Sequence, residues 1–538
     1  MFSSPALRSL FLLLLALALA TPVLVVAGSW LAGASPNWGH LSSTVLPSYL
    51  RHSLFLALFT GTGTLLIGVA AAWAVSRFRF PGRRVLEWAL LLPLACPAYL
   101  IAYTWTGMLA SEGALQQALP LPLPDIRSPA GAGLMLTLVL YPYVYLMTRA
   151  AFVSQSAVAL EVARTLGAGP WRRFFRVALP LARPAIIAGL ALVLMETLAD
   201  YGTVAYFGVP TLSTGIYRTW FGLGDAMAAA QLAGVLLLAM VVLLTLERRA
   251  RKERRISVAS ARAAAPLPLG RGPGLLLAAA LWLPVLLGFI LPALQLLVWS
   301  LPRWRDLAEP GFLGLLGTSL LIALCTALAA TGLGLLLIWA RRLRGDRPRR
   351  LAAGLAGFGY AVPGTVLAVG VVLVLASLDR GLNNLLASVG LPEPGLLFSG
   401  TLFAVVFACT VRFLTIPIQG LDAGLQNLSP NLDNAARSLG TASLPMLRRV
   451  HLPLLRVPLA TSALLVFVDT LKELPAALVL RPFNTNTLAV RAFELASDER
   501  LADAALPALT ILLAGVAPVI LLTRSIRNPH QESPHADH

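Results

Sequence analysis

Glu161-Val-Ala-Arg-Thr-Leu-Gly167 returns 273 residues further along the chain as Asn434-Ala-Ala-Arg-Ser-Leu-Gly440. The same offset aligns Val177-Ala-Leu-Pro180 with Val450-His-Leu-Pro453, Glu196-Thr-Leu-Ala-Asp200 with Asp469-Thr-Leu-Lys-Glu473, and Arg218 with Arg491. Earlier in each copy the offset is 266, where Arg83-Arg84 and Cys96-Pro97 match Arg349-Arg350 and Val362-Pro363. Matches held in register over such a length mark an internal duplication. That decides the architecture, because one folding unit is then used twice.

The text around these matches is unusually apolar. Of the 538 residues 57% are hydrophobic and 12% charged, and the mean hydropathy is +0.78, whereas an ordinary soluble domain is about 25% charged. Lipid is therefore the solvent expected for most of the chain. Crossing a hydrocarbon core of roughly 30 Å takes about 20 helical residues. Twelve apolar runs are long enough: 9–31, 53–76, 86–109, 131–153, 184–206, 228–246, 275–299, 315–340, 352–377, 399–420, 457–480 and 503–523. The first run contains Ala18-Leu19-Ala20, which imitates a signal-cleavage site. It is long for the apolar part of a secretory signal, so a retained anchor is expected.

Each copy holds six runs, and an even number gives both copies the same orientation, related by a pseudo-two-fold axis along the membrane normal. The fold class predicted is an all-α, polytopic membrane protein of about 12 transmembrane helices in two parallel six-helix repeats. The first repeat covers 1–246 and the second 274–523. Between them, 247–273 opens with Arg248, Arg249, Arg251, Lys252, Arg254 and Arg255 and reads as a basic cytoplasmic linker. Residues 524–538 read as a disordered cytoplasmic tail, and the histidines His530, His535 and His538 within it as part of that disorder.

A formal charge of +18 suggests nucleic acid until the arginines are placed. They cluster in alternate connections, at 77–84, 164–176, 248–255, 341–350, 448–449 and 524–527, while the other connections hold few, such as Arg127, Arg218, Arg303 and Arg380. The positive-inside rule then makes both termini cytoplasmic and turns the basic loops toward anionic lipid or a cytoplasmic partner. No nucleic-acid partner is needed. Cys96, Cys325 and Cys409 stand singly in apolar runs, which indicates neither a disulfide framework nor a zinc site.

The loops at 156–180 and 429–453 lie on the basic side. Ser429 can cap a helix, Pro430 suits its first position, Asp433 lies in the first turn, and Gly440 suits a left-handed stop. Ser156 and Gly167 mark the same start and stop in the first copy, and Pro170 opens the next helix. A short helix presented outside the membrane by both repeats can dock in a groove on a cytoplasmic partner. The plainer reading is a basic helix resting on anionic lipid. The spacing favours docking, because Glu161, Ala163, Gly167 and Val177-Ala-Leu-Pro180 meet E-x-A-x3-G-x9-[IV]-x-L-P without a gap, and Ala436, Gly440 and Pro453 meet it again. This pattern resembles the EAA loop of ABC importer permeases. The resemblance implies that a short coupling helix in each loop sits in a cleft of an ATPase subunit, with two ATPase copies, one under each loop. Asn434 departs from the pattern, standing where the family has glutamate. One charged contact fewer is then available to the second loop.

The chain has two lysines, Lys252 and Lys472, and neither lies in a G-x4-G-K-[ST] loop. ATP is therefore expected on the partner subunit, with no cofactor bound by this chain. A membrane enzyme would need a nucleophile with a base, or a His/Asp metal set. His40, His52 and His451 are scattered and give neither.

Glu196 with Asp200, and Asp469 with Glu473, are four residues apart, which on a continuous helix puts each pair one turn apart on one face. Counted from Pro184 at about 1.5 Å per residue, Glu196 lies about 18 Å in. Charges at that depth usually face the bundle interior or an aqueous path, and such oxygens suit a hard cation. The alternative is a structural ion-pair network, since Lys472 is next to Glu473 and three residues from Asp469. The four carboxylates are therefore a candidate substrate pathway, with no certain metal site.

The stretches 196–208, 214–221 and 487–500 resemble the fused permeases of bacterial ferric-iron importers over nearly the whole chain. That implies an inner-membrane subunit taking up Fe3+ from a periplasmic substrate-binding protein. Fused thiamine permeases share the twelve-span plan and paired loops. Gly345-Asp-Arg-Pro-Arg-Arg350 is similar to the basic loop of major-facilitator transporters, but it has no counterpart in the first half and leaves the paired loops unexplained.

Overall fold

The computed structural model describes residues 5–118, 125–154, 162–163, 165–252, 266–343, 346–357, 359, 362–426 and 428–527. Among them, ten helices are long and apolar enough to cross a membrane, and two bent pairs bring the number to twelve if each pair is one span. The only strand pairing among these residues joins Phe78–Arg79 in parallel to Leu267–Pro268. The chain is an all-α polytopic membrane protein.

The bends follow from proline. Arg83–Ala95 and Ala98–Leu109 meet at 93°. Cys96, which precedes Pro97, is extended at φ −105°, ψ 125°, because the proline ring disfavours helical backbone in the residue before it. In the second copy Pro363 has the same backbone conformation ahead of Gly364–Ser388, with φ −55°, ψ 142° against φ −58°, ψ 141° for Pro97. Leu402–Phe413 and Thr415–Gln426 meet at 42°. Pro417 has no N–H for the carbonyl of Phe413, and its ring crowds that oxygen.

The runs expected at 184–206 and 457–480 are shorter than predicted. Their helices end at Ala199 and Leu471, and separate short helices come next at Gly202–Tyr206 and Pro475–Leu480. Each of the two long helices is entered through a π-type segment, Phe174–Ala178 and Leu447–His451, placed just before Pro180 and Pro453. The proline has no N–H to continue the regular ladder, and the wider i→i+5 turn adapts the backbone at that point.

Two compact units are formed. One comprises Met1–Pro36, Thr219–Gly234 and Arg305–Arg491, the other Asn37–Arg218, Val235–Trp304 and Ala492–His538. Each therefore takes most of its residues from one half of the sequence and includes the opening span of the other half. In the first unit, Pro5–Gly28 packs on Arg347–Ala356 and Gly364–Ser388. In the second, Leu46–Arg77 packs along Pro129–Ser154, and Leu291–Ser300 along Leu501–Arg527. Ala71, Leu86, Tyr141, Tyr145 and Val285 are among the buried side chains at the centre of the second unit.

Small residues allow these approaches, as expected where helices associate in lipid by close packing. A Cβ on Gly370 would stand 2.2 Å from the carbonyl oxygen of Pro22, a backbone atom that cannot swing aside. Gly370→Ala is therefore expected to destabilise by roughly 1–3 kcal/mol, the usual range for overpacking. Gly381→Ala on the same helix, with nothing within 4 Å of its added carbon, should leave the melting temperature in detergent unchanged or slightly raised. Equal melting temperatures for the two variants would contradict the packing argument.

Candidate functional site

Both short loop helices end in the same way. Gly440 has φ +73° and Gly167 φ +78°. Thr441 N–H donates to the carbonyl of Ala436 at 3.0 Å and Gly440 N–H to that of Arg437 at 2.9 Å, the paired bonds of a Schellman stop. In the first loop Ala168 N–H donates to the carbonyl of Ala163 at 2.9 Å. The alanines of the repeated pattern thus accept the bond that closes each helix. At the start of the second helix, Pro430–Ser438, the Ser429 Oγ accepts from Asn431 N–H at 3.3 Å. Glu161 and Ser156 lie outside the described residues. Asn434 is exposed and Ala436 buried. Pro180 and Pro453 occupy the second positions of Leu179–Ala199 and Leu452–Leu471.

Asp433 does more than face the helix dipole. Its Oδ2 accepts from Arg342 Nε at 2.9 Å and its Oδ1 contacts His451 Nε2 at 2.9 Å. Burial pushes the Asp433 carboxyl up, but the hydrogen bonds from Arg342 and His451 outweigh it and hold the group below the usual aspartate range.

The carboxylates of the deep segment depart from the predicted geometry. Asp200 and Glu473 lie beyond the helices carrying Glu196 and Asp469, so neither pair shares a continuous helical face. Asp200 is extended at φ −61°, ψ 131°. Its Oδ1 accepts from the N–H groups of Thr203 and Val204, both at 3.1 Å, and its Oδ2 from Thr203 Oγ1 at 3.1 Å. It caps the next short helix, which explains why the chain leaves the first one: a short polar side chain offers the backbone an alternative partner. Glu473 does the same, accepting from Ala476 N–H at 3.1 Å, 273 residues after the Asp200 to Thr203 bond.

The ion pairs also differ from the sequence reading. Lys472 pairs with Asp469 at 2.9 Å. Glu473 is instead held by Arg412 Nη1, at 2.8 Å to each carboxylate oxygen. Gly364 makes room for that pair, since a Cβ there would stand 2.3 Å from Arg412 Nη1 and 2.7 Å from Glu473 Oε1. Glu196 is half-buried within Leu179–Ala199. Among the described residues, no three His, Cys, Asp or Glu side chains form a group that could hold a metal ion.

The family described as binding-protein-dependent transport system inner membrane component matches residues 1–256 and 330–528. This chain belongs to that family. It is a fused, two-repeat ABC permease. The permease is 25% identical over 525 residues to the Fe(3+)-transport system permease protein FbpB 2 of Haemophilus influenzae, covering 96% of this chain and 97% of that one. It is 27% identical over 518 residues to the thiamine transport system permease protein ThiP of Salmonella typhimurium, covering 90% of each. The molybdenum transport system permease protein ModB of Escherichia coli is 31% identical over 228 residues, 41% of this chain and 96% of its own length.

Several residues of the permease's loops escape sequence reasoning. Leu166 and Leu439, one position before the two glycines, are 81% and 83% exposed, and such apolar tips suit a partner's groove. Arg342 reads in sequence only as one of a run of arginines, and His451 only as a scattered histidine. They lie 91 and 18 residues from Asp433, and no local pattern links them to it.

Proposed function

We propose that the permease carries Fe3+ into the cytoplasm, taking it from a periplasmic binding protein and drawing energy from two copies of a separate ABC ATPase. The observation that carries this is end-to-end similarity to a permease named for Fe(3+) transport, over 96% and 97% of the two chains. The ATPase copies dock on the loops at 156–180 and 429–453, through the helices around Glu161, Ala163 and Gly167 and around Asn434, Ala436 and Gly440, each fixed at its membrane end by Pro180 or Pro453. ATP is bound by those subunits, and this chain carries no cofactor. Both termini and the linker 247–273 face the cytoplasm, in keeping with the arginine clusters.

Hard trivalent iron favours oxygen donors. Glu196 and Asp200 are proposed to line its route, whereas Asp469 and Glu473 are proposed to act as structural ion pairs with Lys472 and Arg412.

The test is reconstitution in vesicles with the ATPase and the iron-binding protein. ATP should drive uptake of radiolabelled Fe3+, and an ionophore that collapses the proton gradient should leave it unchanged. ATP-driven thiamine uptake without iron uptake would establish the second reading, which the likeness to ThiP supports. Uptake abolished by the ionophore and indifferent to ATP would establish a secondary transporter.

A further inference from the structure

Among the described residues, the entries to the two spans that follow the loops differ in chemistry. At the base of the first, Phe174 packs on Trp73 with ring centroids 5.0 Å apart, Trp73 packs on Phe152 at 5.2 Å, and Ala178 is fully buried in the same apolar cluster. Such contacts are non-directional and survive small slips. At the base of the second loop, His451 stands at the position corresponding to Ala178, and Asp433 at that of Leu160.

Asp433, on the loop helix Pro430–Ser438, uses its two oxygens for two membrane spans. One accepts from Arg342, near the end of Pro310–Leu343, and the other meets His451, the residue that leads into Leu452–Leu471. The carboxylate is ionised, so the His451 Nε2–H donates. The Arg342 guanidinium also donates to the carbonyls of Leu425 at 2.5 Å, Leu428 at 3.0 Å and Ser429 at 3.4 Å, which holds the chain entering the helix. Among the described residues, His451 Nδ1 is buried without a hydrogen-bond partner. A buried ionic cluster with an unsatisfied atom is weak evidence of stabilisation. Directional bonds on both oxygens do something that apolar packing does not: they forbid the helix to slide against either span.

We infer that Arg342, Asp433 and His451 are positioning residues that lock the second loop helix to the spans Pro310–Leu343 and Leu452–Leu471, so that displacement of this helix by the ATPase moves those spans with it. The inference rests on the docking reading proposed above. It makes the second loop a rigid transmitter.

The test uses the permease with its ATPase in vesicles, with Fe3+ presented on the binding protein. Three quantities are read: ATPase subunit retained, ATP hydrolysed, and Fe3+ taken up per ATP. Asp433→Asn and His451→Ala should retain the ATPase and hydrolyse ATP while uptake per ATP falls at least fivefold. His451→Gln, whose amide N–H reaches toward the same carboxylate, should recover at least half of the loss, a rescue that general destabilisation does not produce. Uptake per ATP within twofold of wild type in both Asp433→Asn and His451→Ala overturns the link. Should a single variant fail to assemble, Asp433→Leu combined with His451→Ala reproduces Leu160 and Ala178 of the first half and leaves Arg342 its carbonyl acceptors on Leu425, Leu428 and Ser429; retained ATPase with fivefold poorer coupling supports the link, and wild-type coupling overturns it. Failure of the wild-type permease to retain the ATPase removes the docking reading itself.

Discussion

Arg412→Met should lower the stability of the permease in detergent by about 3–5 kcal/mol, the usual consequence of stranding one member of a buried ion pair. Its partner Glu473 is 5% exposed and Arg412 is 13% exposed, so water cannot replace the missing guanidinium. Asp469→Asn removes a charge from a pair whose members are 24% and 28% exposed. That variant should lose less, because Lys472, left without its partner, is less buried than Glu473 and so less penalised. The double variant Arg412→Met with Glu473→Gln leaves no bare charge, and its melting temperature should return most of the way to wild type. Fe3+ uptake in the same preparations then separates structure from route. Restored stability with restored uptake makes Glu473 a structural group, whereas restored stability without uptake places its charge on the path of the cation. A melting temperature for Arg412→Met equal to that of Asp469→Asn would contradict the difference in burial on which the argument rests.

Legibility in the sequence tracks the range of the forces involved. The Ser429 cap, the Pro430 start and the Gly440 stop are all decided within a dozen residues, and each stands in the structure where the text puts it. The apolar runs are likewise local, since length and composition alone make a span possible. The breaks at Asp200 and Glu473 are also local, yet a pair of carboxylates four residues apart reads equally well as one helical face. The deciding feature stands two positions after each pair: Gly202 and Pro475 disfavour continuing the helix, and the carboxylate then caps the short helix beyond the break. The Arg412 to Glu473 pair is illegible for another reason. It joins residues 61 positions apart on different helices, while Lys472 stands next to Glu473 in sequence and turns instead to Asp469. Packing of the opening span of each half with residues of the other is a tertiary fact that no periodicity carries.

Gly167→Val and Gly440→Val should leave insertion intact and abolish coupling to the ATPase. Both glycines have a positive φ, +78° and +73°, and among the described residues nothing lies within 4 Å of where a side chain would begin. Crowding therefore plays no part, and the penalty comes from backbone strain alone, of order 1–3 kcal/mol for a residue that avoids left-handed geometry. A valine can relieve that strain only by unwinding the stop, which strips the carbonyls of Ala163 and Ala436 of the N–H groups that close the helices. The loop helix would then fray and present Leu166 or Leu439 in the wrong direction. Asparagine tolerates the left-handed region, so Gly440→Asn should keep most of the activity that Gly440→Val loses. The two loops should also respond unequally. In the second, the bonds from Asp433 to Arg342 and His451 hold the body of the helix after its stop is lost, so the damage is confined to the tip. The first loop, whose base among the described residues rests on the non-directional aromatic packing of Trp73 and Phe174, should lose more of its ATPase association. Co-purification of the ATPase with each variant, measured beside Fe3+ uptake, reads both effects. Wild-type association and uptake in both valine variants would remove the docking role from these loops, and a larger loss of association for Gly440→Val than for Gly167→Val would count against the bracing of the second helix.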